Sequence, residues 1–270
     1  MSIRKAIIPA AGYGTRNLPV TKSLPKEMFP INNRPAIQFI VEEAVACGIE
    51  EILIVFSRSK NILVDYFDRS IELEEFLKKN KKLQELKKLD LPNVTIQFIR
   101  QPYALGLGDA IKQGESFIGG EPFAVLLPDD LFVDSRQIGL SRLIKKYEVY
   151  QTNMIGVLQV ANDKLNKYGV IKGKYDSENM YEILDIIEKP KTPPSNLAVI
   201  GRYVFHPDIF SYLKQLTPSL ANEIQLTDAI KNMLLQQNAY AIKFNEKRYD
   251  ISDSADYIAI NNYFLQKNKD

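Results

Sequence analysis

The strongest constraint on what this chain can fold into is an alternation near its N-terminus. Four short aliphatic, β-branched runs, Lys5–Ile8, Ile52–Phe56, Val94–Ile99 and Phe123–Leu127, are separated by segments of helical period. Runs so short and so uniformly apolar suit strands buried on both faces, as in a parallel sheet. The clearest helix spans Pro35 to Cys47. Pro35 fits a first turn, Ile37, Ile40, Val41, Ala44 and Val45 share one face, and Gly48 is placed to end it. A second helical stretch, Ile71 to Leu89, carries the basic run Lys78-Lys79-Asn80-Lys81-Lys82. Glu72, Glu74, Glu75 and Glu85 surround that run, the pattern of a solvated helix face rather than an anion site. Strand–helix alternation over about 130 residues implies βαβ units, a mostly parallel sheet, and ligands at the carboxyl ends of its strands.

The remainder is more mixed. Met154–Val160, Gly169–Lys172, Tyr181–Ile187, Ala198–Phe205 and Tyr240–Phe244 have strand character, interleaved with helices near Pro207–Leu216 and Glu223–Gln236. They are expected to extend the same sheet and add a small antiparallel layer. No Pro/Gly/Ser-rich linker or like-charge run divides the 270 residues, so one domain is expected. Within it, the expected parts are about residues 1–130, about 131–250 and a C-terminal helix at about 251–270. In that helix, over Ala255–Gln266, Ile258, Tyr263 and Phe264 are expected to be partly buried.

Composition excludes several function classes. A balance of 35 Lys+Arg against 33 Asp+Glu gives a net charge of +2, too small for the basic footprint of a nucleic-acid binder. One cysteine, Cys47, excludes an internal disulfide framework and any cysteine-cluster metal site, and suits a reducing compartment. No apolar run approaches the roughly 20 residues of a membrane span, and the N-terminal apolar run stops at Pro9, unlike a secretory signal. A cytoplasmic protein with no nucleic-acid or membrane partner is expected.

The chemistry concentrates after the first strand, in Ala10-Ala11-Gly12-Tyr13-Gly14-Thr15-Arg16 and on to Lys22, Lys26, Glu27 and Met28. Gly12 and Gly14 let backbone N–H groups approach phosphate oxygens, and Arg16, Lys22 and Lys26 supply cations. The span is a polyphosphate cradle but not a P-loop, since no Gly-Lys-Ser/Thr follows. It also fails the dinucleotide fingerprint, with Asn17 at the third glycine and Ser57-Arg58-Ser59 where a ribose-binding acid belongs. Alone, the glycine pair is as well explained by a turn. Asp129 and Asp130 follow a strand ending at Pro128, so at least one carboxylate reaches the ligand-facing rim and could hold a hard cation. The alternative for such a pair is a helix cap or turn. His206, in His-Pro-Asp before a helix, suits a surface N-terminal position.

From Gly12 to Met28 the order Gly-x-Gly-Thr-Arg, Pro-x-Thr-Lys and Pro-Lys-Glu-Met resembles the glucose-1-phosphate nucleotidyltransferases, most closely the bacterial UTP–glucose-1-phosphate uridylyltransferases. Further family-like segments are Arg100-Gln101, Leu105–Gly108, Leu127–Asp130, Tyr168–Val170, Ile187–Lys191, Pro194–Ala198, Gly201–Tyr203 and Glu223–Ala229. The resemblance implies an α/β, Rossmann-like (GT-A-like) fold with a mixed, mostly parallel sheet flanked by helices. It implies transfer of UMP from UTP to glucose 1-phosphate, giving UDP-glucose and pyrophosphate, with Mg²⁺ as cofactor and assembly as a homo-dimer or homo-tetramer.

It also implies site roles, with residues 1–130 as the nucleotide-binding part and 131–250 as the sugar-phosphate-binding part. Ala11, Gly12, Gly14, Thr15, Glu27, Gln101 and Gly106 would bind the nucleotide, with Gln101 and Gly106 on the base. Gly169, Glu188 and Lys189 would bind the sugar phosphate, the glutamate at sugar hydroxyls and the lysine at the phosphate. Glu188 and Lys189, read as neighbours in a strand, are expected on opposite faces. Arg16 and Lys26 would divide the leaving β/γ-phosphates and the α-phosphate between them, in either order. Asp129 and Asp250 would hold the metal.

The chain departs from the pattern at Tyr249-Asp250-Ile251-Ser252, where Ser252 stands for a family glycine and puts the metal role of Asp250 in question. Asn222 stands where an acid or glycine usually precedes Glu-Ile-Gln-Leu-Thr-Asp. Two alternatives use the same residues: the same chemistry with dTTP or another sugar phosphate, and a non-catalytic homologue that binds nucleotide or sugar phosphate.

Overall fold

The computed structural model of the chain describes residues 2–133, 139–218 and 222–267. The first predicted strand forms β1 (Lys5–Pro9), followed by three single 3₁₀ turns that carry the cation-rich span and by the two-residue strands β2 (Pro30–Ile31) and β3 (Arg34–Pro35). Helix α1 (Ala36–Ala46) buries Ile37, Ile40, Val41 and Ala44, as its period predicts. Gly48 lies just beyond its end at φ +87°. Next come β4 (Glu51–Phe56) and three short helices, α2 (Ile62–Phe67), α3 (Ile71–Lys79) and α4 (Leu83–Lys87). The stretch expected as one helix from Ile71 to Leu89 is therefore two, broken where Lys81 takes φ +56°. Apart from Leu77 its residues bury little, so nothing in the core holds it in one piece.

β5 (Thr95–Arg100), α5 (Leu107–Lys112), α6 (Glu115–Ile118) and β6 (Phe123–Leu126) complete the first half. β7 (Asp130–Val133), α7 (Gly139–Tyr150), β8 (Asn153–Gln159), β9 (Gly169–Ser177), β10 (Met180–Glu188) and β11 (Leu197–Phe205) follow. α8 (Ile209–Gln215), α9 (Leu226–Met233), β12 (Ala239–Lys243), β13 (Lys247–Asp250) and α10 (Ser254–Lys267) end the described chain. β9 and β10 join through Glu178 and Asn179, both at positive φ, as a tight primed hairpin turn requires.

One nine-stranded sheet runs through both halves in the order β5-β4-β1-β6-β11-β8-β12-β10-β9. The β5-β4-β1-β6 half is parallel throughout, and the other half is mixed, with β8–β12 parallel and the remaining pairs antiparallel. β5 is half-buried rather than fully buried because it is the sheet edge. β7 and β13 form the small antiparallel layer. Two apolar clusters sit on the faces of the sheet, one centred on α1 and α7 and the other on α5, α8 and α9. Along the tail, Ile260 is fully buried and Tyr263 and Phe264 partly so, but Ile258 is exposed, contrary to expectation. Positions 258 and 260 lie two residues apart, about 200° around a helix, so they cannot share its buried face.

The order 3-2-1-4 of β5-β4-β1-β6 reverses direction between β1 and β6. In open α/β sheets that switch point opens a crevice beyond the strands' carboxyl ends, where ligands bind.

Candidate active site

A cleft of about 840 Å³ opens at that crevice. β1 delivers Ala11, Gly12, Gly14, Thr15 and Arg16 to one wall, and β6 delivers Pro128 and Asp129 beside them. The second half supplies the opposite wall, with Gly169, Glu188 and Lys189, and the β13 end adds Arg248, Asp250 and Ser252. All fourteen residues expected at the site line this one cleft.

Local structure explains why the cradle keeps its shape. Gly14 sits at φ +66°, and a Cβ there would stand 3.0 Å from Thr21 Cγ2. Thr21 Oγ1 donates to Gly14 O at 2.8 Å, fixing the bend. Lys26 and Glu27 share one 3₁₀ turn, but they face different ways. Glu27 is 1% exposed and accepts both of its bonds from Lys60 Nζ, at 2.9 and 2.8 Å, while the same ammonium donates to Ala10 O at 2.7 Å. Glu27, expected at the nucleotide, is thus committed to a buried ion pair that pins the Lys26 turn to the end of β1. Burial pulls the Lys60 pKa down, and the Glu27 carboxylate opposes that pull.

Lys26 points into the cleft and meets Asp129, Nζ to Oδ2 at 2.5 Å. Burial disfavours charge on both, yet the pair overrides it. Lys26, with Arg248 behind it, holds the Asp129 carboxyl well below the usual carboxylate range, and Asp129 and Glu27 raise the Lys26 ammonium. Both groups are therefore charged at neutral pH. Asp250 shifts the other way: burial, then the negative charges of Asp129 and Asp130, raise it, with Arg16 and Arg248 opposing. Arg16 Nη1 reaches Asp250 Oδ2 at 3.2 Å and is otherwise largely exposed.

Asp129 and Asp250 repel one another within one cleft, and two hard oxygen donors there, each with one cationic partner, fit a divalent cation such as Mg²⁺. Among the described residues no three carboxylate, histidine or cysteine side chains converge, so two carboxylates would be the protein's share and phosphate oxygens or water would supply the rest.

Ser252 lies outside the left-handed region, so the backbone there does not require glycine, and Ser252 lines the cleft. Its N–H donates to Asp250 Oδ1 at 2.9 Å, its Oγ donates to Asp129 Oδ2 at 3.3 Å, and Oγ accepts from Lys26 Nζ at 3.3 Å. Asn222 takes φ +58°, a conformation asparagine tolerates nearly as well as glycine.

Where the base is expected, Gln101 is buried and its Nε2 donates to Asp109 Oδ2 at 2.8 Å and to Gly106 O at 3.2 Å. Both partners are acceptors, so the amide turns its N–H₂ away and leaves its carbonyl oxygen as the group to offer a ligand. Gly106 holds φ +92° where a Cβ would lie 2.9 Å from Ile224 O. Where the sugar phosphate is expected, Gly169 pairs with Glu188 across β9–β10, and Glu188 Oε2 accepts from Thr227 Oγ1 at 3.2 Å.

Glu188 and Lys189 do not take opposite faces. β10 ends at Glu188, and Lys189 turns to φ +44°, its N–H donating to Tyr168 O at 2.9 Å, so strand alternation stops one residue early. Nζ of Lys189 comes back to 3.5 Å from Glu188 Oε1. A bulky residue in the left-handed region is strained, and such strain gathers at ligand sites. His206 is not among the cleft residues and pairs at the surface with Asp208 at 3.0 Å.

Sequence reasoning missed Lys60, Asp109, Ser252 as a contributor, and Arg248 with its partner Asp130. Their partners lie 118 positions away for Arg248 and 33 for Lys60, and no local spacing announces such pairs.

Comparison with known proteins shows the family of the chain. The sequence model of the nucleotidyl transferase family matches residues 5–267. A Bacillus subtilis protein whose name gives UTP–glucose-1-phosphate uridylyltransferase provisionally is 50% identical over 96% of this chain and 95% of its own length. Another from the same organism, named UTP–glucose-1-phosphate uridylyltransferase outright, is 44% identical over 99% of this chain and 93% of its own. The crystal structure of a UDP-glucose pyrophosphorylase complexed with UDP-glucose superposes with a TM-score of 0.88 at 42% identity, covering 98% of this chain and 99% of that one. The chain belongs to the nucleotidyl transferase family, in its UTP–glucose-1-phosphate uridylyltransferase branch.

Proposed function

We propose that this cleft transfers UMP from UTP to glucose 1-phosphate, releasing pyrophosphate and forming UDP-glucose. The observation that carries it is the Lys26–Asp129 pair at the switch point, with Lys189 and Glu188 lining the same cleft. That is a polyphosphate site and a sugar-phosphate site within reach of one another.

A phosphate monoester has its second pKa near ~6, so glucose 1-phosphate arrives largely as the dianion at neutral pH. Its oxygen attacks the α-phosphorus of UTP, forming the new P–O bond as the bond to the β-phosphate breaks and pyrophosphate leaves. No proton needs to be removed from the nucleophile, and no histidine lines the cleft among the described residues. Catalysis then rests on alignment and charge. In this reading Lys189 holds the attacking phosphate, Lys26 faces the α-phosphate and Arg16 the departing phosphates. Glu188, set by Thr227, orients the sugar hydroxyls. The Gln101 carbonyl accepts from N3–H of uracil, a donor that cytosine lacks. Mg²⁺ held by Asp129 and Asp250 would supply charge neutralisation and orientation of the phosphate oxygens.

The compartment proposed is the cytoplasm, supported by the single unpaired thiol of Cys47. No described helix is long and apolar enough to cross a membrane. A homo-dimer or homo-tetramer is part of the same proposal, supported by exposed Ile258 and Leu265 seven residues apart on α10. Light scattering checks it.

The specificity test is kcat/KM for UTP beside dTTP and CTP with glucose 1-phosphate, the product identified as the nucleotide sugar. UTP is expected to be preferred over both, and a preference for dTTP contradicts the reading.

A further inference from the structure

We propose that Arg202 is a positioning residue for the reaction, a buried clamp that sets the turn presenting Asp129 to the cleft. The proposal rests on the nucleotidyl-transfer reading of that cleft. Arg202 lies on β11, 0% exposed, and is among the largest fully buried side chains in the molecule. Its guanidinium donates through Nη1 to Leu127 O at 3.2 Å and through Nη2 to Asp130 O at 2.8 Å. Those carbonyls flank Pro128 and Asp129, so one rigid, planar group spans the turn from beneath. The plane is set in turn by Glu43 of α1, which accepts Nε and Nη2 at 2.7 Å each, a bidentate fork, while Nη1 also donates to Gly201 O at 2.9 Å.

The far side of the turn is fixed as well. Asp130 Oδ2 accepts from the N–H of Gly201 at 2.8 Å, and Oδ1 accepts from Arg248 through Nε at 2.9 Å and through Nη2. Arg248 Nη1 in turn donates to Tyr168 OH at 3.0 Å, and the Tyr168 carbonyl takes the Lys189 N–H. A continuous chain of charged and backbone groups therefore runs from α1 under Asp129 to the backbone of Lys189, joining the two walls whose reacting groups must align.

Stability alone does not account for this pair. Taking an arginine and a glutamate out of water costs about as much as their attraction returns, and apolar residues of similar volume are often equal or better. What apolar residues cannot do is donate to both carbonyls of the turn. Misplacing a catalytic group by about 1 Å can cost on the order of a hundredfold in rate.

The test separates positioning from folding. Arg202→Met alone leaves Glu43 without its partner and is expected to unfold readily, so the informative variant is Arg202→Met with Glu43→Leu. Expected is cooperative unfolding at a lowered melting temperature, because the carbonyls of Leu127, Gly201 and Asp130 lose their donor, in a protein still folded at assay temperature, with UTP affinity by calorimetry without Mg²⁺ within about threefold and kcat lowered by roughly ten- to a hundredfold with KM little changed. Folded double variant with wild-type kcat overturns the proposal. If it does not fold, Arg202→Lys decides: it keeps a cation for Glu43 but has no planar fork to span both carbonyls of the turn. A fall in its kcat with metal-free UTP affinity kept supports the clamp, and an unchanged kcat overturns it. Every variant is compared with wild-type protein on the nucleotide that protein uses, so failure of the substrate reading appears in the wild type and failure of the clamp only in the variants.

Discussion

Lys189 holds a conformation that a long side chain adopts only when its surroundings insist, φ +44° at the end of a strand. The strain brings its ammonium to the same wall as Glu188 rather than the opposite face. In the proposed reaction its charge would face the attacking phosphate, and Lys189→Ala is expected to lower kcat/KM by about a hundred- to a thousandfold, the usual loss for one preorganised charge-stabilising group. Steady-state kinetics with both substrates check this. Ser252→Gly restores the family residue and removes two long hydrogen bonds from Oγ. At about 0.5–1.5 kcal/mol for one such bond, turnover should change by about two- to tenfold, and a larger loss would make Ser252 essential. The Cys47 thiol is pushed up to about 12, by burial first and then by the Glu43 carboxylate. Because thiolate is the reactive form, iodoacetamide at pH 8 should label the native protein far more slowly than the unfolded one. These residue-level facts were only partly legible in the sequence. The glycines, cations and Asp129 stand in local patterns, but the turn at Lys189 depends on a hydrogen bond to Tyr168, 21 positions earlier.

At the scale of elements, the 3₁₀ turn bearing Lys26 has no helix length of its own to keep it in place, and the buried Glu27–Lys60 pair supplies the anchor. Glu27→Ala leaves an unpaired buried ammonium and should cost about 3–5 kcal/mol in denaturant unfolding, whereas Glu27→Leu with Lys60→Met should recover most of it. The pH dependence follows. A lysine whose folded pKa is depressed binds its proton less well when folded, so the unfolded chain carries more protons between the folded value and about 10.4 and stability rises with pH there. Removing the carboxylate that opposes the shift should make that rise steeper and begin at lower pH, as urea midpoints from pH 7 to 10 would register. The strands and α1 were visible in the sequence because burial on one or two faces writes a period into it. Short α2, α5 and α6 and the break within residues 71–89 were not, because elements of four to nine residues owe their form to what they pack against.

Across the whole molecule, one sheet carries the residues of the cleft, and its parallel half places Gly12, Gly14, Arg16 and Asp129 at the switch point while the mixed half brings Gly169, Glu188 and Lys189 to the same cleft. Strand–helix alternation made the parallel half and the location of the ligand site predictable. The order of strands in the mixed half was not, since β12 enters between β8 and β10 from far along the chain. The central claim is that this cleft performs metal-dependent uridylyl transfer through Asp129. Pyrophosphate release from UTP and glucose 1-phosphate tests it most directly, measured for the wild type with Mg²⁺, the wild type with EDTA, and folded Asp129→Asn with Mg²⁺. The account predicts steady release in the first, none in the second and at least about a hundredfold less in the third. Undiminished release with EDTA or from Asp129→Asn, or no release from folded wild type that binds UTP, would contradict it.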